Sequence, residues 1–543
     1  MSRRKDSRTP GPGTALTYDY LVVGAGSAGC VLAARLSEDP TVRVALVESG
    51  GPDRRGRPEI RIPAAFPKLF GTPYDWNFRT TGQEALDGRE LYWPRGHLLG
   101  GSSSMNAMMW VRGHRDDYDA WGEAAGHEWS YAEFVRYFRR AERWTGDAPA
   151  HSVYGTEGPL FIGPPRDPNP VTGAFLDACR EAGIDELTEL NGPDHSGCSL
   201  TPVNQRRGRR WSAADGYLAP ARRRPNLDVL TGARVRALRF DGDTRRVCGV
   251  DADGVAGTLT ARREVILSAG TIGSPYLLMR SGIGDPDALR EAGIVPRVPS
   301  PGVGRNLQDH LSTAVTLRCP DPVSLTGADT PANLARYLLA GRGPLTSNVA
   351  EAVAFVRSTP ELAAPDLELI FAPVPFVNHG LTPPTEHGLT IGVVLLQPAS
   401  SGRITLDGPG PADGPRIEPG YLTDEADLRR IVRGVRRAES LFAGRALAPY
   451  TSGPMGLYPG VVDDDALVAA LRGSLETLYH PTGTCRMGRD EASVTDPRLR
   501  VRGVEGLRVV DASVMPNITR GHTHAPTVAL AEKAAELIRA DAR

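Results

Sequence analysis

The sequence has almost no net charge. Sixty-three Lys and Arg face 64 Asp and Glu, a balance of −1 at pH 7. No overall basic field exists to draw nucleic acid, or to hold the molecule on an anionic surface. Lysine is nearly missing, occurring only at Lys5, Lys68 and Lys533. Cysteine is sparse: Cys30, Cys179, Cys198, Cys248, Cys319 and Cys485 are scattered with no Cys-x-x-Cys pair. That argues against a disulfide framework or a zinc site and fits a reducing compartment. No run of about 18 apolar residues is present to span a bilayer. The opening MSRRKDSRTPGPGTALT is polar, basic and Pro/Gly-rich, without the apolar core of a signal peptide. Residues 1–17 are expected to form a disordered arm, and the protein to be cytoplasmic, with peripheral membrane contact left open.

What is present starts at Tyr18. YDYLVV is a short apolar run rich in β-formers, and Gly24-Ala25-Gly26-Ser27-Ala28-Gly29 follows it. CVLAARLSE then places apolar residues at helical spacing, and VRVALVE ends in Glu48. The unit is strand, Gly-x-Gly-x-x-Gly, helix, strand, carboxylate. Gly24 permits the tight turn, Gly26 lets the backbone approach a pyrophosphate, and Gly29 lets helix and strand lie close. Free N–H groups at the helix start face phosphate anions, and Glu48 can accept hydrogen bonds from ribose hydroxyls. A bare glycine fingerprint in a chain with 61 glycines is weak evidence; here strand, helix and acid all fall in place. The unit alone does not choose between NAD and FAD.

Eleven histidines occur. His480 opens HPTGTCRMG, and His522 and His524 lie in GHTHAPT. In extended backbone, residues two apart point the same way. A neutral imidazole, with pKa near 6.5, suits proton abstraction at neutral pH. His480, His522 and His524 could also form a three-histidine metal site, but no carboxylate or cysteine pattern supports it, and no metal is expected. His195-x-x-Cys198 reads as chance within a loop, and Cys485 as a small core residue.

Beyond the glycine fingerprint, four motifs stand in order along the chain: GHLLGGSSSMNA (96–107), GTIGSPYLLMRSGIG (270–284), HPTGTCRMG (480–488) and DASVMP (511–516). This set resembles the glucose–methanol–choline (GMC) oxidoreductases from about Tyr18 to the C-terminus. The resemblance implies a Rossmann-like FAD-binding domain and an FAD-dependent oxidation of an alcohol. Gly24, Gly26, Ser27, Ala28, Gly29 and Glu48 would hold the ADP half. Gly100, Gly101, Ser102 and Asn106 would line the pyrophosphate and flavin. Val235 would meet adenine through its backbone, and Ala269 and Gly270 would pack near the dinucleotide. Asp511 and Ala512 would bind the ribityl and pyrophosphate side, with His524 and Thr527 near the flavin. His480 matches the catalytic histidine and His524 the second active-site residue, whereas His522 falls where many members have Asn. Two departures are visible. His97 stands where Lys or Arg is usual. Met105 stands where some members carry the histidine joined to the flavin, so FAD here should be non-covalent.

A chain of 543 residues exceeds one core. The FAD-binding domain is expected to be discontinuous, at 18–155, 205–312 and 466–543, with a substrate domain at 156–204 and 313–465. The fold class is α/β, α+β overall. Strand-like pieces at 351–356, 367–371, 389–396 and 402–406 read as an antiparallel sheet with helices on one face, and 424–443 as an amphipathic helix. Phe371, Phe376, Val377 and Leu395 suggest apolar walls, which ordinary core packing explains equally well. The stretch GPLTSNVAEAVAFVRS looks like members acting on aliphatic primary alcohols. The expected reaction is hydride transfer from a small alcohol to flavin N5, with electrons passed on to a quinone, redox carrier or oxygen. Three readings stand beside this dehydrogenase: a same-fold oxidase releasing hydrogen peroxide, a non-redox hydroxynitrile lyase, and a non-catalytic flavin- or nucleotide-binding protein, against which the two histidines argue.

Overall fold

A computed structural model describes residues 16–51, 56–147, 149, 151–408, 410 and 414–542. Most of the expected N-terminal arm, 1–15, lies outside the described residues. Leu16 and Thr17, expected in that arm, instead open the first strand, pairing with Leu259 and Thr260. Both are half-buried and continue the buried run that starts at Tyr18, alongside the strand that ends at Leu267.

Two sheets organise the chain. The first is built on four parallel strands in the order Leu227–Thr231, Val44–Glu48, Leu16–Val23, Leu259–Leu267. Leu507–Val509 joins the last of these in parallel, and Val247–Asp253 and Arg234–Phe240 extend the sheet antiparallel. The inner strands read LVV and VALV because both faces are covered. Ser27–Leu36 and the C-terminal helix His524–Asp541 pack against one another beside this sheet. The strand-like stretch around Val235 is divided into two strands, Leu227–Thr231 and Arg234–Phe240, because the chain turns at Gly232, φ +68°.

The second sheet is antiparallel throughout, in the order Glu476–Thr477, Leu311–Arg318, Gly388–Leu395, Leu367–Ala372, Ala352–Val356, Gly197–Leu200. Glu476–Thr477 belongs to this sheet although it sits within 466–543. The expected strand at 402–406 does not join: Arg403–Leu406 pairs with Pro415–Glu418 in a separate hairpin. Leu369, Phe371, Ile391 and Val393 point to the helical side, where Phe371 stacks on Phe175 at 4.9 Å. The helix Glu425–Ala443 comes so close there that a Cβ on Gly434 would lie 2.5 Å from Val393. Ile370, Gly392 and Val394, one step out of phase, face a cavity instead.

Candidate active site

The cavity has a volume of about 790 Å³ and runs from the carboxyl ends of the first sheet to the open face of the second. That is where open α/β sheets bind ligands.

Its first half is made of backbone. Gly24 has φ +99°, and a Cβ there would sit 2.4 Å from Ser268 O. Gly26 has no protein atom within 4 Å of a would-be Cβ, so the space over it is open to the cavity. It is also the N-cap of Ser27–Leu36, with no side chain capping the helix, which leaves the first N–H groups free. Glu48 ends its strand buried; its Oε2 accepts from Ala25 N (2.8 Å) and its Oε1 from Gly50 N (2.7 Å). Burial raises its pKa against those two amides. Gly24, Gly26, Ser27, Ala28, Glu48, Gly101, Ser102, Asn106, Val235, Ala269, Gly270, Asp511, Ala512, His524 and Thr527 all line the cavity.

Two predicted residues do not line it. Gly29 lies under the turn, where a Cβ would fall 1.9 Å from Gly24 O. Gly100, φ +93°, donates its N–H to Ala25 O at 2.7 Å. Both shape the cradle from behind. Asp511 lines the cavity but spends its carboxylate on the chain: Oδ2 accepts from Gly270 N (2.9 Å) and Ser274 Oγ (2.5 Å), and Oδ1 from Ser513 N (2.9 Å).

The other half is made of side chains. His480 hydrogen-bonds His310 Nδ1 through its own Nδ1 at 3.0 Å, and its backbone N–H donates to Asp309 Oδ1 at 2.8 Å. His310 Nε2 lies 3.1 Å from Leu396 O. A carbonyl only accepts, so His310 carries its proton on Nε2 and its Nδ1 accepts. His480 must then donate from Nδ1, which leaves Nε2 with a bare lone pair. Burial, with His522 close by, holds His310 down at about 3, so its ring is neutral at neutral pH. Burial, His522, His310 and Arg95 put His480 well below 6.5.

His522 and His524 do not share a direction. Thr523 between them is helical, φ −72° and ψ −11°, so the extended-backbone expectation fails. His522 stands edge-on to His480 with ring centroids 4.7 Å apart, and its Nε2 is 3.0 Å from Glu368 Oε1. His524 starts the last helix; its Nδ1 meets Ser27 Oγ at 3.0 Å and its ring meets Trp110 edge-on at 5.4 Å. Its Nε2 is buried with no partner in the protein, and burial with nearby Arg210 lowers it to about 4. The side-chain neighbours of His480 are thus His310 and His522, and His524 faces the cradle.

Backbone strain gathers at this cavity. Met108, Val349, Asn378, His379 and Tyr479 line it with φ between +49° and +73°. Positive φ at β-branched Val349, and at Tyr479 beside His480, is costly and marks over-determined geometry. Met105 is buried among Ile60, Phe66, Leu69, Phe70 and Leu98.

Sequence reasoning missed several lining or supporting groups. Trp76 and Phe78 stack in parallel at 5.6 Å on the Glu48–Val235 side, with Arg234 over Trp76 and His97 4.3 Å from it. Asp309-His310 is an adjacent acid and histidine in NLQDHL, a signal that was there to be read. Glu368 sits in an otherwise apolar strand, LELIFA. Among the described residues no three His, Cys, Asp or Glu side chains gather as metal donors.

Family models for GMC oxidoreductases match residues 18–312 and 398–531. The chain belongs to the GMC oxidoreductase family. It is 51% identical to a GMC-type oxidoreductase of Mycobacterium tuberculosis, across 96% of this chain and 99% of that protein. It is 41% identical to an alcohol dehydrogenase [acceptor] of Pseudomonas putida, across 96% and 95%. The structure of a formate oxidase matches with a TM-score of 0.92 at 30% identity, across 98% of this chain and 99% of that one. Membership makes the protein an FAD-dependent oxidoreductase acting on CH–OH groups. No helix among the described residues is long and apolar enough to cross a membrane.

Proposed function

We propose that the protein is a dehydrogenase that converts a primary, aliphatic alcohol to its aldehyde, with His480 as general base, and passes the electrons to an acceptor other than oxygen. The observation that carries this reading is the bare Nε2 of His480 on the wall of the cavity, fixed by the His310–Leu396 O relay.

The residues fit FAD. The open space over Gly26 and the uncapped helix start suit a pyrophosphate, and the cavity-lining carboxylate of Glu48 suits ribose hydroxyls. Trp76 and Arg234 would flank the adenine. The orphaned Nε2 of His524 would find its partner on the cofactor or the alcohol. When bound, the flavin supplies the hydride acceptor. Met105 offers a thioether where a covalent link would need a histidine, which supports non-covalent binding. In this reading 18–155, 205–312 and 466–543 carry the cofactor, and 156–204 and 313–465 the substrate.

The chain's own work is proton transfer and positioning. His480 Nε2 takes the hydroxyl proton, and its imidazolium is stabilised through Nδ1–H by the acceptor Nδ1 of His310. Tyr479 and the Asp309 bond to His480 N–H fix the ring. Met105, Met109, Val349, Ile370, Val394 and Phe376 wall the cavity on this side. An apolar wall favours an aliphatic chain and keeps water from the reacting carbon. The 41% identity to an alcohol dehydrogenase [acceptor] supports a separate acceptor.

The test is anaerobic mixing of the yellow protein with a panel of alcohols. A primary aliphatic alcohol should bleach the visible flavin band, and an acceptor dye should restore it faster than air. Rapid reoxidation by air with peroxide release turns the label to oxidase. Absence of bleaching together with cyanohydrin cleavage leaves a lyase. Yellow colour that survives acid precipitation in the pellet overturns non-covalent FAD.

A further inference from the structure

Gly392 is the anomaly of the second sheet. Strand alternation turns Ser312, Ala314 and Thr316 to the cavity from one strand, and Val394, Gly392 and Thr390 from the next. Across the ladder they pair as Ser312–Val394, Ala314–Gly392 and Thr316–Thr390. The first pair lies at the His480 end, because His310, which bonds the His480 ring, immediately precedes this strand. The middle pair has almost no side chain, and both of its members are only half-buried although they sit in the body of the sheet. A glycine inside a strand weakens it and has to be explained by a bulge, a bend or the close approach of something else. The register between the two strands is unbroken, and the φ of Gly392 is not positive. Packing does not demand the glycine either. A Cβ there would meet nothing nearer than Ile370 Cβ at 3.6 Å, an ordinary contact, whereas on the helical side a Cβ on Gly434 would collide with Val393 at 2.5 Å. The explanation left is an occupant of the cavity that passes close over the backbone.

We propose that Gly392, with Ala314 opposite it, is a specificity-determining residue: the pair is the floor of a channel that receives an unbranched alkyl tail, running from the carbinol at His480 to a mouth at Leu457. The proposal rests on the alcohol-oxidation reading and deepens it, since this floor sets how long a tail can be bound. The hydroxyls along the face are spent on the chain. Ser312 Oγ donates to Glu476 O at 3.2 Å and Thr390 Oγ1 to Val374 O at 2.8 Å. A hydroxyl has one proton, so the 3.1 Å contact between Thr316 and Thr390 takes its proton from Thr316. The floor offers a tail carbon and no free O–H. Its far end opens at the sheet's edge. Glu476 and Thr477 cover Leu311 and Ser312, and residues 453–455 bond residues 316–318. Among the described residues, 313–315 have no strand partner on that side. Leu457 lines the cavity and is 65% exposed, and a Cβ on its neighbour Gly456 would lie 3.3 Å from Val377, which also lines the cavity. Glu476, the acid at this gap, is paired with Arg89. From Ser312 to Thr316 the strand rises about 13 Å, the length of roughly ten extended carbons.

The test is a length series read by binding. FAD-loaded protein is titrated with linear primary amides, from acetamide to decanamide, which carry no carbinol hydrogen and cannot reduce the flavin. The shift of the flavin's visible band gives each Kd. In the wild type Kd should fall about fourfold for each methylene buried, until the tail reaches the mouth. Gly392→Leu fills the space over the floor and should end that fall after the first few carbons, so the advantage of decanamide over butanamide shrinks by about tenfold or more. Gly392→Ala, whose Cβ finds room, should keep most of the slope. Ala314→Leu should act as Gly392→Leu does, from the opposite strand, and decides the matter if Gly392→Leu fails to load FAD. The KM values of ethanol through 1-decanol should follow the same order. A wild-type Kd that does not fall with length, or a loss in Gly392→Leu that is equal for short and long amides, overturns the proposal. If the amide series keeps its slope while no alcohol bleaches the flavin, the alcohol reading falls and the channel stands.

Discussion

The two ends of the cavity are built by different means. Around Gly24–Gly29 the walls are peptide groups. Their shape comes from positive φ, from missing Cβ atoms and from a helix start, all within a few residues of one another. Around His480 the walls are side chains held by partners far along the chain: His310 is 170 residues away, and Glu368 lies 154 from His522. A backbone cradle tolerates almost any chemistry that carries phosphate. A side-chain site commits each nitrogen to one tautomer. Substitutions at the first end should act on cofactor affinity and folding, and substitutions at the second on rate.

The largest expected effect lies at the side-chain end. His480→Ala should slow flavin reduction by about 10²–10⁴-fold, the usual size of a lost general base, with FAD content unchanged. His522→Ala, beside His480, should also slow it, and the double variant should fall short of the product of the two if both act on one hydroxyl. Stopped-flow absorbance measures all three. Loss of FAD in His480→Ala would break the comparison, because it would make that end part of the cradle.

The backbone end divides in two. Gly26→Ala puts its Cβ into space that no protein atom occupies, so the apoprotein should melt as the wild type does while FAD affinity falls. Gly29→Ala drives a Cβ to 1.9 Å from Gly24 O, and the backbone must shift. Overpacking of this kind costs about 1–3 kcal/mol, so Gly29→Ala should lower the apoprotein's melting temperature. Glu48→Ala should weaken FAD binding by removing the ribose acceptor. Fluorescence titration with FAD and thermal melts separate these outcomes. Equal melting of Gly26→Ala and Gly29→Ala would refute the division.

What could be read from the sequence follows the same line. The parallel sheet, its glycine turn and Glu48 were legible because the signals are contiguous and each residue has one local job. His480 was legible from its motif. Glu368 was not, because one acid in LELIFA looks like the exposed side of a strand until the fold covers both faces. His522 was placed beside His524 by a period-two argument that the helix start at Thr523 cancels. Arg403–Leu406 looked like another strand of the large sheet, since a strand's partner is a long-range choice that local pattern does not carry. Trp76 and Arg234 were invisible for the same reason: 158 positions apart in number, they meet only across the cavity wall.

The smallest expected change concerns acid. An unperturbed imidazole of pKa near 6.5 would be only about one-quarter neutral at pH 6.0, and a base of that kind would lose most of its rate there. His480 is held well below 6.5, chiefly by burial and then by His522, His310 and Arg95. A depressed pKa keeps the neutral, proton-accepting form down to lower pH, so the loss begins only as pH falls through the lowered value. The reduction rate at saturating alcohol should therefore change little between pH 7.5 and 6.0. The same sign governs stability. His310 and His524 are neutral when folded, with pKa near 3 and 4, and charge near 6.5 when unfolded. Their contribution is whole above 6.5 and is lost as pH falls from 6.5 toward those values, so the melting temperature should drop on that side. The rate limb belongs to the coupled cluster and not to one ring. An acid limb centred at 6.5 or above would mean that His480 is solvated like a surface histidine, and the contrast between the two ends of the cavity would lose its basis.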